Sequence, residues 1–172
     1  MFELYLIRHG VAAERGLAWP DDAKRPLTEE GIGRMKKAAK GLKRLDVRLD
    51  VVVSSPLVRA RQTAEVVAGV FDEMPPLVFT TALAPGGRYS DLLADLQVQV
   101  QVQVQVQVRR TRIALVGHEP DLGRLAARLA GSRRAFEFKK GAVCRIDVDA
   151  LPPARSGTLR WFLPPSILRR IS

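Results

Sequence analysis

Short apolar runs alternate with segments of helical period from one end of this chain to the other, which predicts an α/β fold. Phe2–Ile7 reads as the first strand and ends where Arg8-His9-Gly10 begins. Polar, proline-containing sequence follows through Pro26. Thr28 is then a good N-cap, with Glu29 and Glu30 placed to complement the helix dipole. Ile32, Met35, Ala39, Leu42 and Leu45 mark one face of that helix. Val51–Val53, wholly apolar and bounded by Ser54-Ser55-Pro56, fits a buried central strand. The next helix is expected over roughly Leu57–Phe71, with Ala60, Ala64, Val67, Ala68 and Phe71 inward. Leu77–Phe79 is a third strand, Pro85-Gly86-Gly87 a loop, and Ile113–Val116 a fourth strand closed by Gly117-His118-Glu119-Pro120. Asp121–Ala130 is helical, with Gly131 as its stop. Ala142–Val148 and Thr158–Leu163 form a closing pair of strands joined by the proline-rich turn Leu151–Gly157. No linker is long enough to separate two domains, so residues 1–172 are expected to form one.

One segment conflicts with its position. Gln97–Val108 is six Gln-Val dipeptides, the period of a strand, where the chain needs a helix crossing back to the fourth strand. Leu92, Leu96, Val100 and Val104 lie four apart and can line one helical side, although β-branched residues are mediocre helix formers. A helix that loses regularity along the repeat is expected, with no catalytic role.

Composition narrows the class. The apolar fraction of 47% and charged fraction of 27% sit near globular averages. No run of about 18 apolar residues exists, and MFELYLIRHG lacks a basic region followed by a long apolar stretch. A soluble, cytoplasmic protein without a membrane partner is expected. The single cysteine, Cys144, rules out an internal disulfide and reads as a core residue. The net charge of +10 is spread along the chain, in short clusters such as Lys36–Lys37–Lys40, Arg133–Arg134, Lys139–Lys140 and Arg169–Arg170. None is interleaved with aromatics, so specific nucleic-acid binding is not expected; the surface favours phosphorylated or acidic partners.

The chain has two histidines, and each stands on a glycine-flanked turn directly after a predicted strand. In parallel α/β sheets, ligands bind at the carboxyl ends of strands, so His9 and His118 are expected to share a site. No HExxH or paired-cysteine spacing supports a metal site. No G-x-S-x-G supports a serine nucleophile, and no Walker A or G-x-G-x-x-G loop follows a strand. Ser54-Ser55-Pro56 reads as a cap for the next helix. Phosphoryl transfer to a histidine remains, since neutral imidazole is a competent nucleophile and arginine grips phosphate oxygens bidentately. Arg8 and Arg59 are the candidates for that grip.

Three motifs carry a family resemblance. Ile7-Arg8-His9-Gly10 resembles the R-H-G signature of the histidine phosphatase superfamily, Ser54–Ala64 its S-S-P-x-x-R-A-x-Q-T-A segment, and Val116-Gly117-His118 its strand-then-G-H motif. The resemblance implies a phosphoglycerate mutase-like, three-layer α/β fold with a mostly parallel central sheet and helices on both faces. It makes His9 the phosphorylated nucleophile, with Arg8, Arg59 and His118 binding the phosphoryl oxygens. It implies no metal and no cofactor. Arg61 is expected on the surface of its helix.

Arg25-Pro26-Leu27-Thr28, Leu83–Gly87, Lys139–Ala142 and Leu159–Pro165 look like the SixA-type phosphohistidine phosphatases, whose short chains carry no long insertion to cover the pocket. Many superfamily members place an acidic proton donor after the third strand; here Thr80–Pro85 holds no carboxylate. An alkoxide leaving group would suffer, since general acid catalysis is typically worth ~10²–10⁴-fold, whereas imidazole is easily protonated near neutral pH. The expected substrate is therefore phosphohistidine on a protein partner, bound in an open, shallow pocket. Glu14, Asp21, Asp22 and Glu119 are the substitute carboxylates, each more naturally a loop or cap residue, with Glu119 the nearest candidate donor. A phosphomonoesterase or mutase acting on small phosphate esters is the rival enzyme, and a phosphoprotein-binding module the rival of another class.

Overall fold

The computed structural model describes residues 1–101 and 110–172, with the Gln101 side chain excepted. Its strands are β1 (Phe2–Arg8), β2 (Val51–Ser54), β3 (Leu77–Phe79), β4 (Arg112–Gly117), β5 (Val143–Val148) and β6 (Thr158–Leu163). Its helices are α1 (Glu29–Arg44), α2 (Val58–Ala68), α3 (Tyr89–Gln101), α4 (Asp121–Ala130) and α5 (Pro165–Ile171). Among the described residues the strands form one sheet in the order β3-β2-β4-β1-β5-β6. The first four are mutually parallel, and β5 and β6 are added antiparallel, which makes the sheet mostly parallel as expected.

Strand side chains alternate between the two faces, so each face needs its own helical cover. Leu4 and Leu6 of β1 join Val51, Val53, Ile113 and Leu115 in a core covered by α3 and α4. Tyr5 and Ile7 point the other way and pack with Val52, Ala114 and Val116 under α1, α2 and α5. Three layers follow directly from that alternation. Cys144 lies fully buried in the first core, where burial pushes its thiol up to about 12. It packs as a small apolar side chain.

The helix ends obey local chemistry. Thr28 caps α1, its hydroxyl accepting from Gly31 N at 2.9 Å. Gly131 closes α4 in the left-handed conformation, φ 69°. Two residues expected on the buried face of α1 are not there: Ile32 is 38% and Leu45 41% exposed. The buried arc instead centres on Gly31, Met35, Ala38 and Leu42; Ile32 lies about 90° from its centre. Leu45 is already the C-cap. α2 likewise ends at Ala68, leaving Phe71 beyond it and only partly buried. α3 carries the start of the Gln-Val repeat as a helix. Leu92 and Leu96 are buried, Val100 packs against the same core, and Val98 faces out at 53% exposure. The rest of the repeat, including Val104, falls largely outside the described residues. No helix among them is long and apolar enough to cross a membrane.

Candidate active site

Strand register brings the two histidines together. β1 and β4 are parallel neighbours, with Arg8 opposite Gly117, so the next residue of each strand is a histidine leaving the sheet at the same level. His9 N donates to Gly117 O at 3.2 Å, and the two imidazole centroids lie 5.0 Å apart. From β1 the chain departs toward β2 through α1 on one face; from β4 it crosses to the other side of β1 through α4 on the opposite face. The crevice between strands whose connections diverge in this way is where α/β sheets bind ligands.

His9 is 6% exposed, and its Nδ1 lies 2.8 Å from Gly10 O. A carbonyl only accepts, so Nδ1 carries the hydrogen and Nε2 keeps its lone pair. Burial, helped by the neighbouring charges of His118, Arg59 and Arg8, pulls the His9 pKa down to about 3. Burial and Arg59 likewise hold His118 at about 4. Both rings are therefore neutral near pH 7.

His118 is oriented by Ser55. β2 delivers Ser55 at its end, where Ser55 N donates to Val116 O, and Ser55 Oγ lies 2.8 Å from His118 Nε2. That hydroxyl also accepts from Leu57 N at 3.3 Å, but Leu57 itself is the N-cap of α2 and no side chain caps the helix, so the capping expectation is not met. The Ser55 hydroxyl, with one hydrogen and two lone pairs, can donate to or accept from Nε2, so the contact holds the ring in place in either neutral tautomer. Nδ1 is buried and has no partner among the described residues.

Two guanidinium groups flank the rings. Arg8 closes β1, its Nη1 donating to Phe138 O at 2.5 Å, while its Nε is buried and has no partner among the described residues. Arg59 enters from the first turn of α2 and is 3% exposed. Its Nη1 donates to Asp22 O at 2.7 Å and its Nη2 to Asp22 Oδ2 at 2.9 Å, with Nε again without a partner among the described residues. Desolvation lowers both guanidinium pKa values, yet arginine stays charged in proteins. Arg61, by contrast, lies on the surface, paired with Glu65 at 3.1 Å and placed over the Phe79 ring. Two neutral imidazoles thus lie beside the guanidinium groups of the buried Arg59 and the half-buried Arg8.

The sequence patterns missed the braces of this arrangement. Thr63, one turn after Arg59, donates to Arg59 O at 2.7 Å and accepts from Gly10 N at 3.1 Å, tying α2 to the His9 turn. Gln62 Oε1 accepts from Leu27 N at 2.6 Å. Their i+3 and i+4 spacing from Arg59 was the available signal. The other brace is Asp22, which the sequence offers only as a substitute, loop or cap carboxylate and not as a partner of Arg59. It sits in a short 3₁₀ turn and pairs with Arg15, Arg25 and Arg59. Burial opposes its ionisation, but these arginines prevail and hold its carboxyl below the ordinary range. No long insertion is needed to cover the rings, because the loop after His9 folds back onto Arg59 through Asp22. The imidazoles are recessed rather than laid on a shallow surface.

The substitute carboxylates all have other employment or none at the rings. Asp21 caps the 3₁₀ turn through Ala23 N, and Glu14 is exposed. Glu119 adjoins His118 in sequence, but its Oε1 accepts from Phe138 N at 2.6 Å and its Oε2 from Gly123 N at 3.3 Å. It braces the loop that carries the Arg8 contact. Among the described residues no cluster of His, Cys, Asp or Glu is able to hold a metal ion.

Comparison with known proteins agrees with this geometry. The model of the histidine phosphatase superfamily (branch 1) matches residues 4–85, which include Arg8, His9 and Arg59. An uncharacterised protein of Picosynechococcus sp. (strain PCC 7002) is 40% identical over 128 residues, covering 74% of this chain and 73% of that one. Phosphohistidine phosphatase SixA of Escherichia coli K12 is 28% identical over 167 residues, covering 97% and 96%. The solved structure of the protein histidine phosphatase SixA complexed with tungstate superposes with a TM-score of 0.81 at 26% identity, covering 97% of this chain and 99% of that one. Fold, strand-end histidines and relatives converge: the chain belongs to the histidine phosphatase superfamily, and phosphatase is its class of activity.

Proposed function

We propose that the chain removes phosphate from phosphohistidine on a protein, through a covalent phosphohistidine on His9 and without a metal. The observation that carries this is the His9 ring itself, buried, neutral and held by Gly10 O so that Nε2 presents its lone pair between Arg8, Arg59 and His118. In the first step Nε2 forms a bond to phosphorus as the bond from phosphorus to the leaving imidazole nitrogen breaks. That nitrogen takes a proton from solvent. In the second step water attacks the phosphorus, the bond to Nε2 breaks, and inorganic phosphate leaves with His9 restored. The unpaired nitrogens of Arg8, Arg59 and His118 suit charge spread over the equatorial oxygens.

Substrate class rests on the leaving group. The stretch Thr80–Pro85 has no carboxylate, and Asp21, Asp22 and Glu119 are engaged elsewhere, so an ester oxygen would leave unassisted. A leaving imidazole needs no strong acid. Similarity to SixA supports the same reading. The test compares kcat/KM for a phosphohistidine-bearing protein with a panel of phosphate esters. A clear preference for the protein is expected; preference for an ester gives the site to the rival phosphomonoesterase.

A further inference from the structure

A cleft of about 500 Å³ starts at Arg8 and runs away from the histidines between α1, the 139–141 turn and the start of α5. Its ionisable lining residues are all cations: Arg8, Arg34, Lys139, Lys140 and Arg169. No carboxylate lines it. Among the described residues, no ion pair engages Lys139, Lys140 or Arg169, whereas Arg34 pairs with Glu30 one turn away.

The walls of the cleft are fixed. Gly141 N donates to Arg8 O and Arg8 N to Ala142 O, both at 3.1 Å, so the lysine turn is anchored to the end of β1. Gly141 holds a left-handed φ of 82°, and a Cβ there would come within 2.9 Å of Met35 Sδ on α1. On the far wall α5 packs so closely on α1 that a Cβ at Gly41 would lie 2.1 Å from Leu168 O. Cations held on rigid walls lose less freedom on binding than cations on a mobile loop. The positive surface continues past the cleft into a groove lined by Lys37, Lys40, Lys43 and Arg44. Such a one-signed concavity selects an anionic partner and speeds its encounter.

The lining also chooses among anionic partners. No Phe, Tyr or Trp borders the cleft, so bases of a single-stranded nucleic acid have no platform to stack on. Carboxylates of a protein need none. We propose that this cleft docks an acidic segment of the phosphoprotein, holding it beside Arg8 while its phosphoryl group reaches His9. The docking role rests on the reading of the substrate given above, and deepens it by naming the surface and the partner's chemistry.

The test uses the triple variant Lys139→Glu/Lys140→Glu/Arg169→Glu. The control is Arg133→Glu/Arg134→Glu, exposed residues beyond α4 on the other side of the sheet. Binding of an unphosphorylated Asp/Glu-rich peptide, read by fluorescence anisotropy, is expected to weaken at least tenfold in the triple variant and less than twofold in the control. On an acidic phosphohistidine protein, KM should rise about tenfold in the triple variant, with turnover of phosphoimidazole within twofold of the parent. Should the triple variant fail to turn over phosphoimidazole, Lys140→Glu alone replaces it, with a threefold change expected. Equal losses in variant and control would reduce the effect to bulk charge and overturn the proposal. So would a single-stranded oligonucleotide that binds as tightly as the peptide and is equally weakened by the triple variant. Peptide binding that depends on the cleft without any phosphohistidine turnover would sink the substrate reading while docking stands. Turnover of the phosphoprotein indifferent to the triple variant would do the reverse.

Discussion

The mechanism proposed for His9 depends on a hydrogen bond to its own neighbour: donating Nδ1–H to Gly10 O leaves Nε2 as the only ring nitrogen with a free lone pair. His9→Ala is accordingly expected to abolish turnover with little loss of fold, since the ring stands at a strand end. Acid-labile, base-stable phosphate trapped on the parent and absent from the variant checks this. Arg59→Ala should cost at least ~10²-fold in kcat, in line with losing one donor of an oxyanion site. Arg61→Ala should be nearly silent, since residues two apart on a helix point about 200° away from each other. Comparable losses in both would mean that the wrong helix face had been given the chemistry. The pH behaviour of the rings is as specific. The unfolded imidazoles protonate near 6.5, the folded ones only near 3 for His9 and 4 for His118. Between those values the unfolded chain binds more protons, so the contribution of the neutral rings is complete above about 6.5 and is lost as pH falls to about 4 for His118 and about 3 for His9. Because the chain has two histidines, NMR reads both directly. Neither ring should titrate between pH 5.5 and 8 in the free protein, and bound tungstate or phosphate should raise both values. A midpoint near 6.5 would contradict the buried geometry.

Elements hold these residues in place through close approaches. A Cβ at Gly31 would stand 2.1 Å from Val11 O, two residues past His9. Gly31→Ala should therefore destabilise the fold by about 1–3 kcal/mol and lower kcat, as α1 is pushed off the His9 turn. Thermal unfolding and kinetics on the same preparation would register it. Ser55→Ala removes the partner of His118 Nε2, a buried nitrogen. The expected result is a loss of about 1–3 kcal/mol in stability, and a changed His118 titration in NMR. The same elements show what was legible beforehand. Strand ends, caps and the paired histidines were readable because each depends on local chemistry: an apolar run that stops, a threonine before two glutamates, a glycine on a turn. Ser55 escaped because its catalytic contact is with a residue 63 positions away, while its local contact with Leu57 N already explained its presence. The pairing of Asp22 with Arg59 escaped for the same reason, since only tertiary folding brings the loop back to Arg59. Ile32 was misplaced because an apolar residue at the border of a helical arc has the right spacing without the right neighbours.

Over the whole molecule, an excess of +10 charges works against compaction and for encounter with anions. Moderate salt should raise the unfolding temperature slightly and, by screening, lower kcat/KM on an acidic phosphoprotein more than on phosphoimidazole. EDTA should leave both rates unchanged; a loss restored by added metal would require a different mechanism. The parallel pairing of β1 with β4 has one more consequence. β1 is the first strand synthesised, yet both of its neighbours, β4 and β5, lie more than about a hundred residues later. At roughly 5–20 residues per second on the ribosome, that strand waits on the order of 5–20 s with both edges bare. Its five buried apolar and aromatic positions make it a target for chaperones or for other nascent chains during that interval. A chain interrupted before Arg112 never covers it, so premature termination in this protein should yield insoluble product rather than a dormant half-enzyme.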